Sequence, residues 1–206
     1  MKRLSTDAEY LNSGKLVLDA DGIPFEPAAK TYVDQRVPID SFTGTGSPEG
    51  KVAAPAGSIY TDSAATNGAI RWIKSSGTGT TGWKVEYGDT GIRNITSLIE
   101  GDTGTGIARI QRVGNTVMLA FNNIPTPGDG TFISIPNFIP AGFRSAFNWQ
   151  HLGVGKPAGI DAGGPVRVGT NGDLYIYRTS SETRINGTVT YISDTPWPAT
   201  LPGTPA

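Results

Sequence analysis

"SSGTGTTGWKVEYG", residues 75–88, is the stretch on which the fold turns. Gly77, Gly79 and Gly82 spell G-x-G-x-x-G, which in dinucleotide-binding folds follows a strand, opens a helix and holds a pyrophosphate on that helix's N–H groups. Here Gly82 is followed by Trp83-Lys84-Val85-Glu86-Tyr87, in which large and polar residues alternate as they do along a strand. The glycines therefore read as a Gly/Thr-rich loop joining two strands, and a parallel α/β nucleotide fold is set aside.

Working outward, "GSIYTD" and "AIRWIK" are short strand-like runs on either side of "SAATNG", whose Asn67-Gly68 is a turn signal. With the run from Trp83 they predict a small antiparallel module over residues 41–100, packed on Tyr60, Trp72 and Trp83. Its opening, "SFTGTGSPEG", reads as loop by composition. Residues 101–206 carry the clearest period-2 patterning. "IARIQRV" and "TVMLAF" flank Gly114-Asn115, "VRV" and "LYIYR" flank a turn at Asn171-Gly172, and "INGTVTYIS" adds a further strand. Roughly six to eight such strands predict an antiparallel sandwich or barrel. The ending "TPWPATLPGTPA" is rich in proline and reads as an extended tail.

Residues 1–40 differ in kind, holding 12 of the 35 charged side chains. "GKLVLDADG" reads as a short strand ending in a turn. "PAAKTYVDQRV" reads as a helix bounded by Pro27 and Pro38, with Ala29, Tyr32, Val33 and Val37 on one stripe. A helix of about ten residues is marginal alone, so that stripe must pack on something.

Composition narrows function. Glycine (28) and proline (15) are about a fifth of the 206 residues, and only 37% are hydrophobic, so one copy has limited means of building a thick core. A formal net charge of −1 gives no basic surplus, which argues against nucleic acid or an anionic membrane surface as partner. Without cysteine there is no disulfide, thiolate catalysis or cysteine-ligated zinc. The apolar run "LVL" near the N-terminus is far too short for the core of a signal peptide, and no run is long enough to span a membrane.

Catalytic signatures are thin. His151, the single histidine, lies in "FNWQHLGVG" without acidic neighbours, and the acids of the last segment (Asp102, Asp129, Asp161, Asp173, Glu182, Asp194) lie mostly in Gly-, Ser- or Thr-rich loops. A glycosidic carboxylate pair needs only to meet in space, so the pattern alone does not remove it. Asn94-Ile95-Thr96 and Asn186-Gly187-Thr188 match the glycosylation sequon, which means little without a secretory route. No calcium-loop ligand pattern occurs, and no metal or cofactor is expected. Trp149, Tyr175 and Tyr177, with His151, remain as candidate contacts for a sugar face, the alternative being core or interface packing.

Three stretches resemble bacteriophage virion proteins. "PAAKTYVDQRV" looks like the ATK-x-YVD segment near the N-terminus of many phage fibre proteins, with Ala29 in place of the usual threonine. "GTGSPEGKVAAPAGSIYTDSAATNGAIRWIKSSGTGTTGWKV" is similar to a module of minor tail proteins of phages that infect actinobacteria. The segment from "IARIQRVGNTVMLAF" through "IPAGFR" to "GTVTYISDTPWPATLPG" resembles their tip domains. The resemblance implies a homotrimeric, non-enzymatic appendage on the virion, on tail or capsid. Residues 1–40 would be an anchor to other virion proteins, 41–100 a spacer and 101–206 a β-sandwich tip that meets a host-envelope glycan. Ala29, Tyr32, Val33 and Val37 would then pack on their own copies about a three-fold axis. A capsid decoration or head fibre would use the same modules without a receptor, and a polysaccharide-degrading enzyme is a third reading.

Overall fold

The computed structural model describes residues 17–18, 24–25, 40–99, 106–125, 132–147, 150–157, 164–177 and 184–206. The chain forms two compact units, Met1–Pro38 and Ile39–Ala206. In the first, β1 (Val17–Leu18) and β2 (Pro24–Phe25) pair antiparallel, Val17 opposite Phe25. The expected helix with Ala29, Tyr32, Val33 and Val37 lies outside the described residues.

The second unit is almost entirely β, and its single helical element among the described residues is a 3-10 turn at Thr96–Leu98. Its first part is a four-stranded sheet of β3 (Ser41–Gly44), β4 (Ile59–Asp62), β5 (Ala69–Lys74) and β6 (Trp83–Gly88), in that order. The pairs β4–β5 and β5–β6 are antiparallel, as the alternation predicts. The loop reading of "SFTG" is corrected: these residues form the edge strand β3, parallel to β4, with Phe42 opposite Tyr60. The run is short and weakly patterned, and a parallel edge needs no local turn to announce it. The expected all-antiparallel module therefore has one parallel edge. Residues 75–82 join β5 to β6, with Ser75 N–H donating to the Gly82 carbonyl, so a strand and not a helix follows the glycine motif.

One face of this sheet carries Tyr60, Ala69, Trp72 and Trp83, buried together with Ala54 and flanked by Phe42, Val52, Val85 and Trp197. Trp83 meets Phe42 edge-on at 6.3 Å and Tyr60 at 6.1 Å, the T-shaped geometry that aromatic quadrupoles favour.

The rest of the unit is a nine-stranded sheet: β7 (Arg93–Asn94), β8 (Ile107–Val113), β9 (Thr116–Pro125), β10 (Phe132–Ile135), β11 (Gln150–Pro157), β12 (Gly164–Val168), β13 (Leu174–Tyr177), β14 (Arg184–Ile192) and β15 (Thr204–Pro205). Its order is β10-β13-β12-β11-β14-β9-β8-β7-β15, and every neighbouring pair is antiparallel. Gly114-Asn115 is a two-residue hairpin loop, with Val113 opposite Thr116 and Gly114 at φ +54°. The turn at Asn171-Gly172 is longer than the two-residue loop at Gly114-Asn115: Val168 faces Leu174, and the loop closes through Gly169 N–H to the Asp173 carbonyl.

Alternation places Ala108, Ile110, Val117, Leu119, Phe121, Val189 and Tyr191 on the buried face, in one core with Val166, Val168, Leu174 and Ile176 from the other end of the sheet. Each such side chain contributes roughly 1.5–3 kcal/mol when fully removed from water, so this core carries most of the unit's stability. The extended-tail reading is also corrected. Thr204–Pro205 pairs with β7, Pro198 is buried, and Trp197 packs against the aromatic core of the four-stranded sheet.

Candidate functional site

The four-stranded sheet, the β8–β9 hairpin and the C-terminal segment border a groove of about 530 Å³. Its residues come from distant parts of the chain, and each is set by local chemistry. On β5 and β6, Trp72 faces Val85 and Lys74 faces Trp83. Trp83 is fixed by an indole N–H bond of 2.8 Å to the Val52 carbonyl, and Lys74, buried with its ammonium 5.8 Å from the Trp83 ring, donates to the Thr81 carbonyl. Glu49 accepts backbone N–H bonds from Gly82 (3.0 Å) and Trp83 (2.7 Å). A motif that resembles a phosphate loop thus directs its N–H groups at a carboxylate of its own chain.

Arg112, at the end of β8, is 3% exposed. Its guanidinium donates to the carbonyls of Gly114 (2.9 Å), Thr195 (3.0 Å) and Gly142, and lies 5.0 Å from the Trp197 ring. Burial pulls its pKa below the ordinary arginine value while the charge of Asp194 and the neighbouring Tyr191 oppose that shift, and the group stays cationic. Carbonyl oxygens and an aromatic face thus replace much of the water it has lost. Trp197 donates its indole N–H to the Asn67 carbonyl at 2.9 Å, and Asn67 returns an amide bond to the Pro198 carbonyl at 2.8 Å. A Cβ on Gly88 would lie 2.8 Å from the Trp197 ring, so this position accepts only glycine without the ring moving.

The lining includes the exposed Glu49, Asn115 and Asp194 and the half-buried Trp197. Trp72 is buried and its indole N–H has no acceptor among the described residues. A second depression, about 540 Å³ and more open, lies over β8, β9 and β14 between Ile107, Arg109, Asn122 and Thr188. Among the described residues no group of three or more His, Asp or Glu side chains could hold a metal ion.

Of the residues singled out in the sequence, Tyr175 is half-buried on β13 with its hydroxyl donating to Asp173 at 3.0 Å, while Leu174 and Ile176 point into the core. Burial raises the Asp173 carboxyl, but bonds from the Asn137 N–H, Tyr175 and Asn171, with the charge of Arg144, outweigh it and hold it below the ordinary aspartate value. Tyr175 therefore helps to fasten the 169–173 loop. His151 and Tyr177 lie on the backbones of β11 and β13, and Trp149 lies outside the described residues.

Sequence reading missed the groove, because Glu49, Trp72, Asn115 and Trp197 share no local pattern. One signal was present: a tryptophan inside a proline-rich tail is an anchor waiting for an aromatic pocket. No protein-family model matches the chain, and no curated protein matches it.

Proposed function

We propose that this chain is a structural appendage of a phage virion, a minor tail protein or fibre that assembles as a homotrimer and meets the host surface. Residues 1–40 attach it to other virion proteins, residues 41–100 are a spacer and residues 101–206 the tip. The nine-stranded sheet is read as a β-sandwich, supported by the shared burial of Ile110 and Leu119 from one end with Val166 and Ile176 from the other.

The observation that carries the reading is how the motif of residues 44–85 is used. Three of its charged and aromatic residues are committed to architecture: Glu49 ties the 75–82 loop, Asp62 accepts from the N–H groups of Gly46 and Ala64, and the Trp83 indole N–H donates to the Val52 carbonyl. A segment whose acids are spent on its own backbone N–H groups suits a rigid connector. The reading is of a non-catalytic protein, because Glu49, one of the two carboxylates in the groove, is already held by backbone donors. Host contact would be weak at each copy and strengthened by several copies acting together.

Immunogold electron microscopy of intact virions with antibodies to residues 101–206 tests this. Gold at the tail tip is expected. Gold spread over the capsid would replace the host-contact reading with capsid decoration, and no gold on virions would remove the appendage altogether.

A further inference from the structure

We infer that the groove between the four-stranded sheet and the C-terminal segment is a binding site for a neutral saccharide of two or three sugar rings. The volume of about 530 Å³ falls in the range of small-ligand sites, about 300–1,000 Å³. The lining dictates the chemistry. Asn115 and Asp194 are exposed, border the groove and make no side-chain hydrogen bond among the described residues. They offer one amide that donates and accepts and one carboxylate that only accepts. Glu49 adds a second carboxylate, partly occupied by Gly82 and Trp83.

Charge selects against ions. Glu49 and Asp194 are matched by Arg112 and Lys84 on the same lining, so the groove has no net charge with which to draw a phosphate or an ammonium group. An apolar ligand would cover Asn115 and Asp194 and leave them unpaired, at the cost of a desolvated polar group. A sugar avoids both penalties, because each hydroxyl donates to a carboxylate and accepts from an amide while its C–H face lies on indole surface. Trp197, half-buried on the lining, supplies that surface, with Val85 beside it.

Tyr175 is not part of this lining, and the site rests on the host-contact reading only for where such a sugar would be met. The test uses the purified full chain, titrated with neutral trisaccharides of glucose, galactose, mannose and arabinose, with the four indole N–H resonances followed by NMR. At least one sugar is expected to move the Trp72, Trp83 and Trp197 signals saturably. Asn115→Ala, at an exposed position, should keep the melting temperature, while Asp194→Asn should keep the fold with a small loss of melting temperature from the missing charge beside Arg112; each should weaken that sugar about tenfold.

No movement of those three signals with any sugar overturns the inference, as does unchanged affinity in both variants. Failure here with gold at the tail tip removes this site and leaves host contact standing. Sugar binding with gold on the capsid does the reverse.

Discussion

The glycine motif divides into residues that need to be glycine and one that does not. Gly82 adopts φ +98°, and a Cβ there would lie 2.6 Å from the Ser76 carbonyl oxygen. A Cβ on Gly79 would meet nothing within 4 Å. Gly82→Ala is therefore expected to lower stability by roughly 2 kcal/mol or more, and Gly79→Ala to change it by less than about 0.5 kcal/mol, both read from urea midpoints. Equal costs at the two positions would mean that the loop is shaped by something other than this turn. Asp62 makes a second prediction at the same scale. Burial raises its carboxyl, but N–H bonds from Gly46, Ala65 and Ala64, with the charge of Lys51, outweigh that and hold it below the ordinary aspartate value. A carboxyl depressed in the folded state stabilises fully above its unfolded pKa, about 3.9, and that stability is lost as pH falls through the lower folded value. Acid titration of the melting temperature should show a fall below about pH 4 that Asp62→Asn reduces, while lowering stability at pH 7. An unchanged acid limb in the variant would assign the fall to other carboxylates, Asp173 first among them.

Among the elements, the C-terminal segment has the role least expected of a proline-rich tail. Trp197 reaches Asn67 in the β4–β5 connection, Arg112 of β8 stacks on it, Arg93 of β7 donates to the carbonyls of Pro202 and Gly203, and β15 closes on β7. This strap ties the four-stranded sheet to the nine-stranded one. Ending the chain at Asp194 should split one cooperative melting transition into two, with the four-stranded sheet melting first because its core holds fewer large side chains. Trp197→Ala should cost about 3 kcal/mol and broaden the transition in the same direction. A single sharp transition in the truncated chain would show that the sheets are coupled without the strap. The strap also marks where sequence stops being legible. The β8–β9 hairpin is written locally, because Gly114-Asn115 interrupts two alternating runs and its register follows from the turn. β3 and β15 are written elsewhere: each is an edge strand whose partner, β4 or β7, supplies the pattern. The groove is less legible still, since Glu49 and Asp194 are 145 positions apart and meet only because the strap brings the end of the chain back to the first sheet.

At the scale of the whole molecule the question is what a chain with 37% hydrophobic residues packs against. The core of the nine-stranded sheet is continuous, from Ile95 to Tyr191. Yet Ile70, Tyr87, Ile92, Ile107, Val113, Met118 and Ile192 are all at least 40% exposed. Apolar surface of that kind is common on monomers when scattered, so it does not by itself require a partner. The helix expected over residues 27–37, outside the described residues, is a sharper candidate, because a helix of about ten residues would gain too little alone to stay folded and would need a partner for Ala29, Tyr32, Val33 and Val37. Three copies meeting along the stripe would bury each Tyr32 and Val33 against its counterparts and supply the missing contact. Sedimentation equilibrium of the full chain is expected to give three times the 21.6 kDa chain mass. The double variant Tyr32→Ser, Val33→Ser is expected to sediment as a monomer while keeping the melting transition of the Ile39–Ala206 unit. A variant that remains trimeric would move the assembly seam out of the first forty residues and onto the sheets, whereas a wild-type monomer would remove trimerisation and, with it, the gain in affinity on which weak host contact depends.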